Sequence, residues 1–576
     1  MAARARIRLP RQQKRTRRHN LDSWNRYHIS RRSALRSGVS GAFGLATALT
    51  VGCGGDDDAG NGTPTQEGAS VPPTPQPSEV ARKGGSIRTG GLTAAIDTPD
   101  IHQSSSDPGA KAMQWAIDTL MTLDEAVPAK LVQAPALAEK LEQPDDLTYI
   151  YSLRKGVKFQ NVAPVNGREF TADDAVFSLK RMSTNQPTYP RRSWLAKATA
   201  IEAVDRYTLR IRTSEPVASL SYLLASPWVG MISPEQAAQD GDKLKSYIGT
   251  GPYKVDRLEP GIAISYSRNP DYWGTGGNFE KIELVSIPDK AAEAAAFRAG
   301  EVTEFASVPP DTVSTLAGQV PDALQYKFPS PGLGIVAFNG RRAPFGDPRV
   351  RQALSLACDI PGWIQVVSAG QGGLSGPIAP AFTDWALPES RLKYHAQNIA
   401  EAKSLLNAAG VNPNGLKLKA MTLSTVASYV AMATQFQADM KLLGAEVEIE
   451  PVSSADYSTR LFTKFDFDIT VGQDFSPDDP DRLFDRFHST AGGNYAGYAN
   501  PALDALLEKQ RSTLNKEQRK DLVLQAQDII VKDVPTFYTY FVWSFTMANA
   551  KLANWRASAV SGNQMRWNAR NAWLKA

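Results

Sequence analysis

Ser246–Trp273 reads SYIGTGPYKVDRLEPGIAISYSRNPDYW, and its reading decides the fold. The turn Gly249-Thr250-Gly251-Pro252-Tyr253 interrupts apolar residues that alternate, Tyr253 and Val255 first, then Ile262, Ile264 and Tyr266. Alternation at period two predicts strands. Glycine admits a backbone turn where a Cβ would clash, and Pro252 cannot continue a helix. The stretch is expected to be a glycine-punctuated hairpin.

Outward from it the same logic predicts a strand over Asp146–Arg154, where Leu147, Tyr149, Tyr151 and Leu153 alternate, and another around Tyr207, Leu209 and Ile211. Further strands are expected at Gly84–Thr93, Lys281–Pro288, Ile335–Asn339 and Phe465–Val471. Helices are expected over Ala110–Leu120, Ala291–Gly300, Ile399–Ala409 and Asn515–Asp533, the last ending before Pro535. Thr171 and Asp174 form a capping box, and Asp347 followed by Pro348 starts a helix through Leu354. Leu416–Leu423 and Ala445–Val452 flank a helix over Val426–Leu443, a βαβ unit that implies parallel pairing. No repeat of fixed period is visible.

The chain has 576 residues, 42% hydrophobic and 21% charged, which suits about three or four soluble domains. Its net charge of +5 is misleading. The first 52 residues hold twelve Lys/Arg and one Asp, so this leader carries +11 and the rest −6. A mildly acidic body gives no electrostatic case for nucleic-acid binding. Two cysteines cannot make a disulfide framework. Cys358 reads as a small buried hydrophobe, because it sits in an apolar helical run.

Arg31 and Arg32, with Ser30 before and Leu35 after, resemble a twin-arginine export signal, and the apolar run Gly38–Val51 is too short to span a membrane. Thr50-Val51-Gly52-Cys53 resembles a lipoprotein processing box in which Cys53 accepts lipid. Two acyl chains would anchor the protein stably. Residues 54–80, rich in Gly, Pro, Ser and Thr, lack the apolar content to fold and read as a tether.

The GTGPY turn followed by RNPDYW, together with LRKGVKFQ, FTADDAVFSL and PFGDPRVRQAL in that order, resembles the bacterial extracytoplasmic solute-binding protein family 5, which serves oligopeptide, dipeptide and nickel ABC importers. The resemblance spans residues 84–576. It implies an α/β fold with a mixed α+β insert, the two-lobed periplasmic-binding-protein fold (type II, cluster C-like). Export signal and lipobox would occupy 1–53 and the tether 54–80. Lobe I would comprise 81–124, 248–340 and 540–576, the inserted domain 125–247, and lobe III 341–539.

Ligands of open α/β sheets gather beyond the carboxyl ends of strands, which places Gln473-Asp474-Phe475-Ser476 at a binding edge. In peptide-binding relatives this loop offers a Trp and then an Asp that holds the peptide amine. Here Gln473 and Ser476 stand at those positions, and Asp474 is two residues early. The acids Asp474, Asp478, Asp479 and Asp481 read equally well as turn and helix caps, and metal binding is the weaker reading. Trp363 and Trp385 suit either a cleft or a core. Ser106 and Asp107, in the loop Ser104–Asp107, would face the ligand by resemblance.

No GxSxG, HExxH or Walker A motif occurs, and only His102, His395 and His488 lie beyond the leader, which argues against an enzyme and against nickel or haem. The resemblance implies a monomeric, lipid-anchored extracytoplasmic protein that takes a peptide or other small molecule to an ABC permease and ATPase, with no cofactor. An oligosaccharide carrier, an anchored hydrolase and a receptor-like sensor are the alternatives.

Overall fold

In the computed structural model the GTGPY turn is the seam at which three chain segments meet. Tyr253–Glu259 and Ala263–Arg268 form the expected antiparallel hairpin, with Tyr253 opposite Arg268. A Cβ on Gly249 would lie 2.6 Å from the Ala116 carbonyl oxygen, and one on Gly251 2.6 Å from the Ala116 carbonyl carbon. Only glycine fits so close to backbone. That approach lets the Gly251 and Tyr253 N–H groups donate to the Ala116 and Trp115 carbonyls, at 2.9 and 3.1 Å. The Gln160 side-chain amide donates to the Ala116 and Tyr253 carbonyls from the other side, at 3.0 and 2.6 Å.

The structure describes residues 80–92, 96–127, 130–476, 479–557 and 563–575, all within the contact unit Glu67–Ala576. Arg31, Arg32, Cys53, the tether, Pro477 and Asp478 lie outside the described residues.

The hairpin belongs to a four-stranded sheet ordered Ser86–Leu92, Lys281–Ser286, Ala263–Arg268, Tyr253–Glu259, whose first pair is parallel. A second, antiparallel sheet is ordered Ala138–Asp145, Thr148–Leu153, Thr208–Thr213, Ala198–Asp205. It has its own core, in which Tyr149, Tyr151, Phe159, Phe170, Leu209 and Ile211 are buried. Helix Ala172–Met182 covers it and starts with the expected Thr171/Asp174 capping box. Such caps contribute about 1 kcal/mol each.

The third and largest sheet is ordered Glu304–Phe305, Thr536–Ala548, Leu324–Phe338, Ile469–Phe475, Lys417–Leu423, Glu446–Val452. The βαβ pair is parallel, as expected, around helix Ala427–Leu443. Asp347 caps helix Pro348–Leu356, its carboxylate accepting from Arg349 N–H. Leu324–Phe338 and Thr536–Ala548 pair antiparallel along most of their length, with register shifts between Pro329 and Ile335. On one side of the shift Tyr326, Phe328 and Ala548 join the core beneath the first sheet. On the other, Val336, Phe338 and Phe537 join the core of the large sheet. The two cores are bridged by two strands.

Three expected elements differ. The helix expected over Ala110–Leu120 spans only Asp107–Met113, because the carbonyls of Trp115 and Ala116 are committed to the GTGPY seam. The strand expected at Ile335–Asn339 is the last third of a fifteen-residue strand, whose Pro329, Pro331, Gly332 and Gly334 disguise it. The strand expected over Phe465–Val471 begins at Ile469. Phe465 is left-handed (φ 51°), and Asp466 and Asp468 accept from Arg342 at 2.6 and 2.7 Å, so their alternation reflects a clamped loop.

Candidate functional site

Ile469–Phe475 runs out between Leu324–Phe338 and Lys417–Leu423, and its carboxyl end presents the four residues read from sequence. Gly472 lies against two tyrosines, since a Cβ there would come within 3.2 Å of both the Tyr429 ring and the Tyr457 hydroxyl. Gln473 accepts a long hydrogen bond from the Tyr429 hydroxyl (3.4 Å) and fills the space above Gly332. Phe475 is 58% exposed, a large apolar surface with no core to join. Ser476 is buried, its Oγ accepting from Ala379 N–H at 2.8 Å and its own N–H donating to the Pro331 carbonyl at 2.7 Å.

Asp474 is not a free anion. Arg486 Nη2 donates to its Oδ1 at 3.1 Å, and the Tyr538 hydroxyl donates to its Oδ2 at 3.4 Å. Phe462 and Tyr495 flank the guanidinium, at 5.5 and 5.4 Å from their ring centroids. Burial and the adjacent Asp474 charge push the Tyr538 phenol well above its usual range. Burial, with lesser contributions from Tyr457 and Asp474, pushes Tyr429 up to about 12. These phenols stay protonated and serve as hydrogen-bond donors at neutral pH. The end of the strand is thus an aromatic wall around one ion pair.

Asp479 and Asp481 are structural. Asp479 accepts both terminal nitrogens of buried Arg519, at 2.7 and 3.0 Å. Asp481 accepts from Gln510 at 3.0 Å and pairs with Arg511 at 2.8 Å. Among the described residues no group of three His, Cys, Asp or Glu side chains is arranged to hold a metal.

Trp385 is half-buried on the core of the large sheet, with the Arg519 guanidinium 5.4 Å from its ring centroid. Trp363 is fully buried, its indole N–H donating to Asp439 at 2.7 Å, so it belongs to the core. Cys358 is buried in the same core, as expected. Ser106 caps helix Asp107–Met113, accepting from Gly109 N–H, and donates to Asp97 at 2.7 Å. Its hydrogen bonds stay inside the loop that Asp97 organises, whose carboxylate also accepts from Ser104 and Ser105.

Gln473, Asp474, Phe475 and Ser476 therefore share one strand end, with Trp385 on the adjoining core and Ser106 and Asp107 on a helix start in the other half. Sequence reading missed Arg486, Tyr538, Tyr495 and Tyr429, which converge on Gln473 and Asp474 from four other segments and carry no local motif. A cavity of about 210 Å³ lies elsewhere, lined by Gln160, Pro164, Gln236, Asp240, Tyr247 and Val255 beside the GTGPY seam.

Comparison with known proteins defines the class. Residues 133–495 match the bacterial extracellular solute-binding proteins, family 5 (middle region). The chain is 30% identical over 433 residues to heme-binding protein A of Haemophilus influenzae, covering 70% of this chain and 77% of that protein. It is 27% identical over 431 residues to di/tripeptide-binding protein 1 of Pseudomonas aeruginosa, covering 70% and 79%. Among solved structures, the periplasmic binding protein DppA of Helicobacter pylori, in complex with the peptide STSA, superposes with a TM-score of 0.71 at 25% identity, over 86% of this chain and 99% of that one. The chain belongs to the family 5 solute-binding proteins and has their two-lobed α/β fold. Family members are extracytoplasmic binding proteins, and no described helix is long and apolar enough to cross a membrane.

Proposed function

We infer that this chain is the substrate-binding lipoprotein of an ABC importer, which captures oligo- or dipeptides between its lobes and hands them to a membrane permease and its ATPase. The observation that carries the reading is the paired passage of Leu324–Phe338 and Thr536–Ala548 between two cores, with its register broken at Pro329. Two paired strands that pass from one core to another and lose their register between them form a hinge, and hinge closure around a ligand is how two-lobed binders work. The peptide ligands named for the Pseudomonas and Helicobacter relatives support the ligand class. In this reading lobe I takes 81–124, 248–340 and 540–576, the insert 125–247, and lobe III 341–539.

Ser106, Asp107, Trp385, Gln473, Asp474, Phe475 and Ser476 are the proposed cleft residues. Asp474 meets a ligand only together with Arg486. A carboxylate already paired gives a peptide ammonium little net charge, so backbone and side-chain contacts carry the affinity. Calorimetry with matched tetrapeptides is expected to show micromolar binding, roughly 8 kcal/mol, and less than about a tenfold difference between free and acetylated N-termini. A hundredfold preference for the free amine would contradict the role given to Arg486. No binding of either form would sink the peptide reading.

Export and anchoring rest on Arg31, Arg32 and Cys53. Cys53→Ser is expected to move the exported protein from the membrane fraction to the soluble fraction, and its retention on membranes would refute lipidation.

A further inference from the structure

The helix Asn563–Asn571 packs against strand Met121–Val127 and presents Arg566 and Arg570, one turn apart on one face. Arg570 Nη2 donates to Asp118 Oδ1 at 2.6 Å. The other Asp118 oxygen accepts from the Thr250 hydroxyl (3.0 Å) and the Trp273 indole (3.1 Å). Arg566 Nη1 donates to the Thr119 and Thr122 hydroxyl oxygens at 2.9 and 3.2 Å. Among the described residues three buried donors at this junction have no acceptor, Nε of Arg566, Nε of Arg570 and the Tyr272 hydroxyl, whose oxygen faces the Arg570 guanidinium.

The charge count is as telling as the unfilled donors. Among the described residues two guanidiniums meet one carboxylate, and Arg566 and Asp118 are 3% and 1% exposed. Burial and repulsion from Arg570 pull Arg566 down to about 10, so it stays charged at neutral pH. The nearby Arg154, 5.2 Å from the Trp273 ring centroid, has its own counterion in Glu139 at 3.3 Å. A buried charge without a partner is costly, and buried donors are almost always satisfied by protein, water or an ion.

We propose that a small monovalent anion, chloride under physiological conditions, binds between Arg566, Arg570 and Tyr272. It balances the extra cation and accepts from the orphaned donors. It ties together three segments distant in sequence: the strand entry at Asp118–Thr122, the RNPDYW run that carries Tyr272, and the C-terminal helix. The RNPDYW motif gains a physical role from this, beyond marking the fold.

The test is thermal unfolding of the full exported protein at constant ionic strength, with sodium gluconate replaced stepwise by sodium chloride or bromide. The melting temperature is expected to rise by about 3 °C through a saturable, millimolar transition, in either halide. Arg566→Met is expected to abolish that response. Tyr272→Phe, which removes one donor and keeps the ring, is expected to weaken half-saturation several-fold. Crystals soaked in bromide should show an anomalous peak between the two arginines. Equal melting temperatures in gluconate and chloride, a full response in both variants, or water alone in the bromide-soaked crystal would overturn the site.

Discussion

Replacing Arg519 by Met should remove about 3–5 kcal/mol of stability, the usual loss when a buried ion pair is cut from one side. Arg519 and Asp479 have side chains only 6% and 7% exposed, and they meet through two hydrogen bonds. Arg519 also donates Nε–H to Gln510 at 3.0 Å and packs against Trp385. Methionine keeps most of the volume but leaves the buried Asp479 carboxylate without its counterion. The expected signature is non-additivity: adding Asp479→Asn should recover a large part of the loss, because the uncompensated charge is gone. Denaturant unfolding of the four proteins measures it. A loss below about 1 kcal/mol for Arg519→Met would mean that the pair is open to water.

Replacing Glu304 by Gln should have the opposite sign, and only at high pH. Glu304 is buried, 1% exposed, and accepts from Thr89 Oγ1 at 3.2 Å and Trp555 Nε1 at 3.3 Å. Burial raises its carboxyl to about 7, with Glu293 adding to the rise, while Trp555, Lys111 and Thr89 oppose it. The folded state therefore keeps a proton that the unfolded chain releases near 4.5. Stability is lost as pH rises from about 4.5 to about 7, and the full penalty, about 3 kcal/mol, stands above that. Glutamine cannot ionise. Glu304→Gln should match the natural protein at pH 4.5 and exceed it by up to about 3 kcal/mol at pH 8. A difference independent of pH would contradict a buried carboxyl that titrates near neutrality.

The sequence was readable wherever local chemistry decides structure. The GTGPY hairpin, the Thr171 capping box, the Asp347–Pro348 helix start and the parallel βαβ unit each depend on residues within one short window. It was unreadable where distant backbone decides. Trp115 and Ala116 leave their helix because carbonyls bonded to Gly251 and Tyr253 cannot serve a further turn. The long strand Leu324–Phe338 hides behind prolines and glycines because it crosses between cores and is flanked on both sides only from Gly332 onward.

The site divides the same way. Strand-end logic located Gln473 to Ser476, yet nothing near Asp474 in sequence announces that Arg486, twelve residues on, neutralises it. That pairing appears only when a helix, a loop tyrosine and the long strand carrying Tyr538 are brought together. Ligand chemistry is the least local property of the chain, and it was correspondingly the least legible.

The most direct test of a hinged trap is small-angle scattering of the purified protein with and without a saturating peptide, with the peptide's mass checked afterwards. A smaller radius of gyration in the bound state and a peptide of unchanged mass are expected. Bound peptide with an unchanged radius, or recovery of cleaved fragments, would contradict closure of two lobes around an intact ligand.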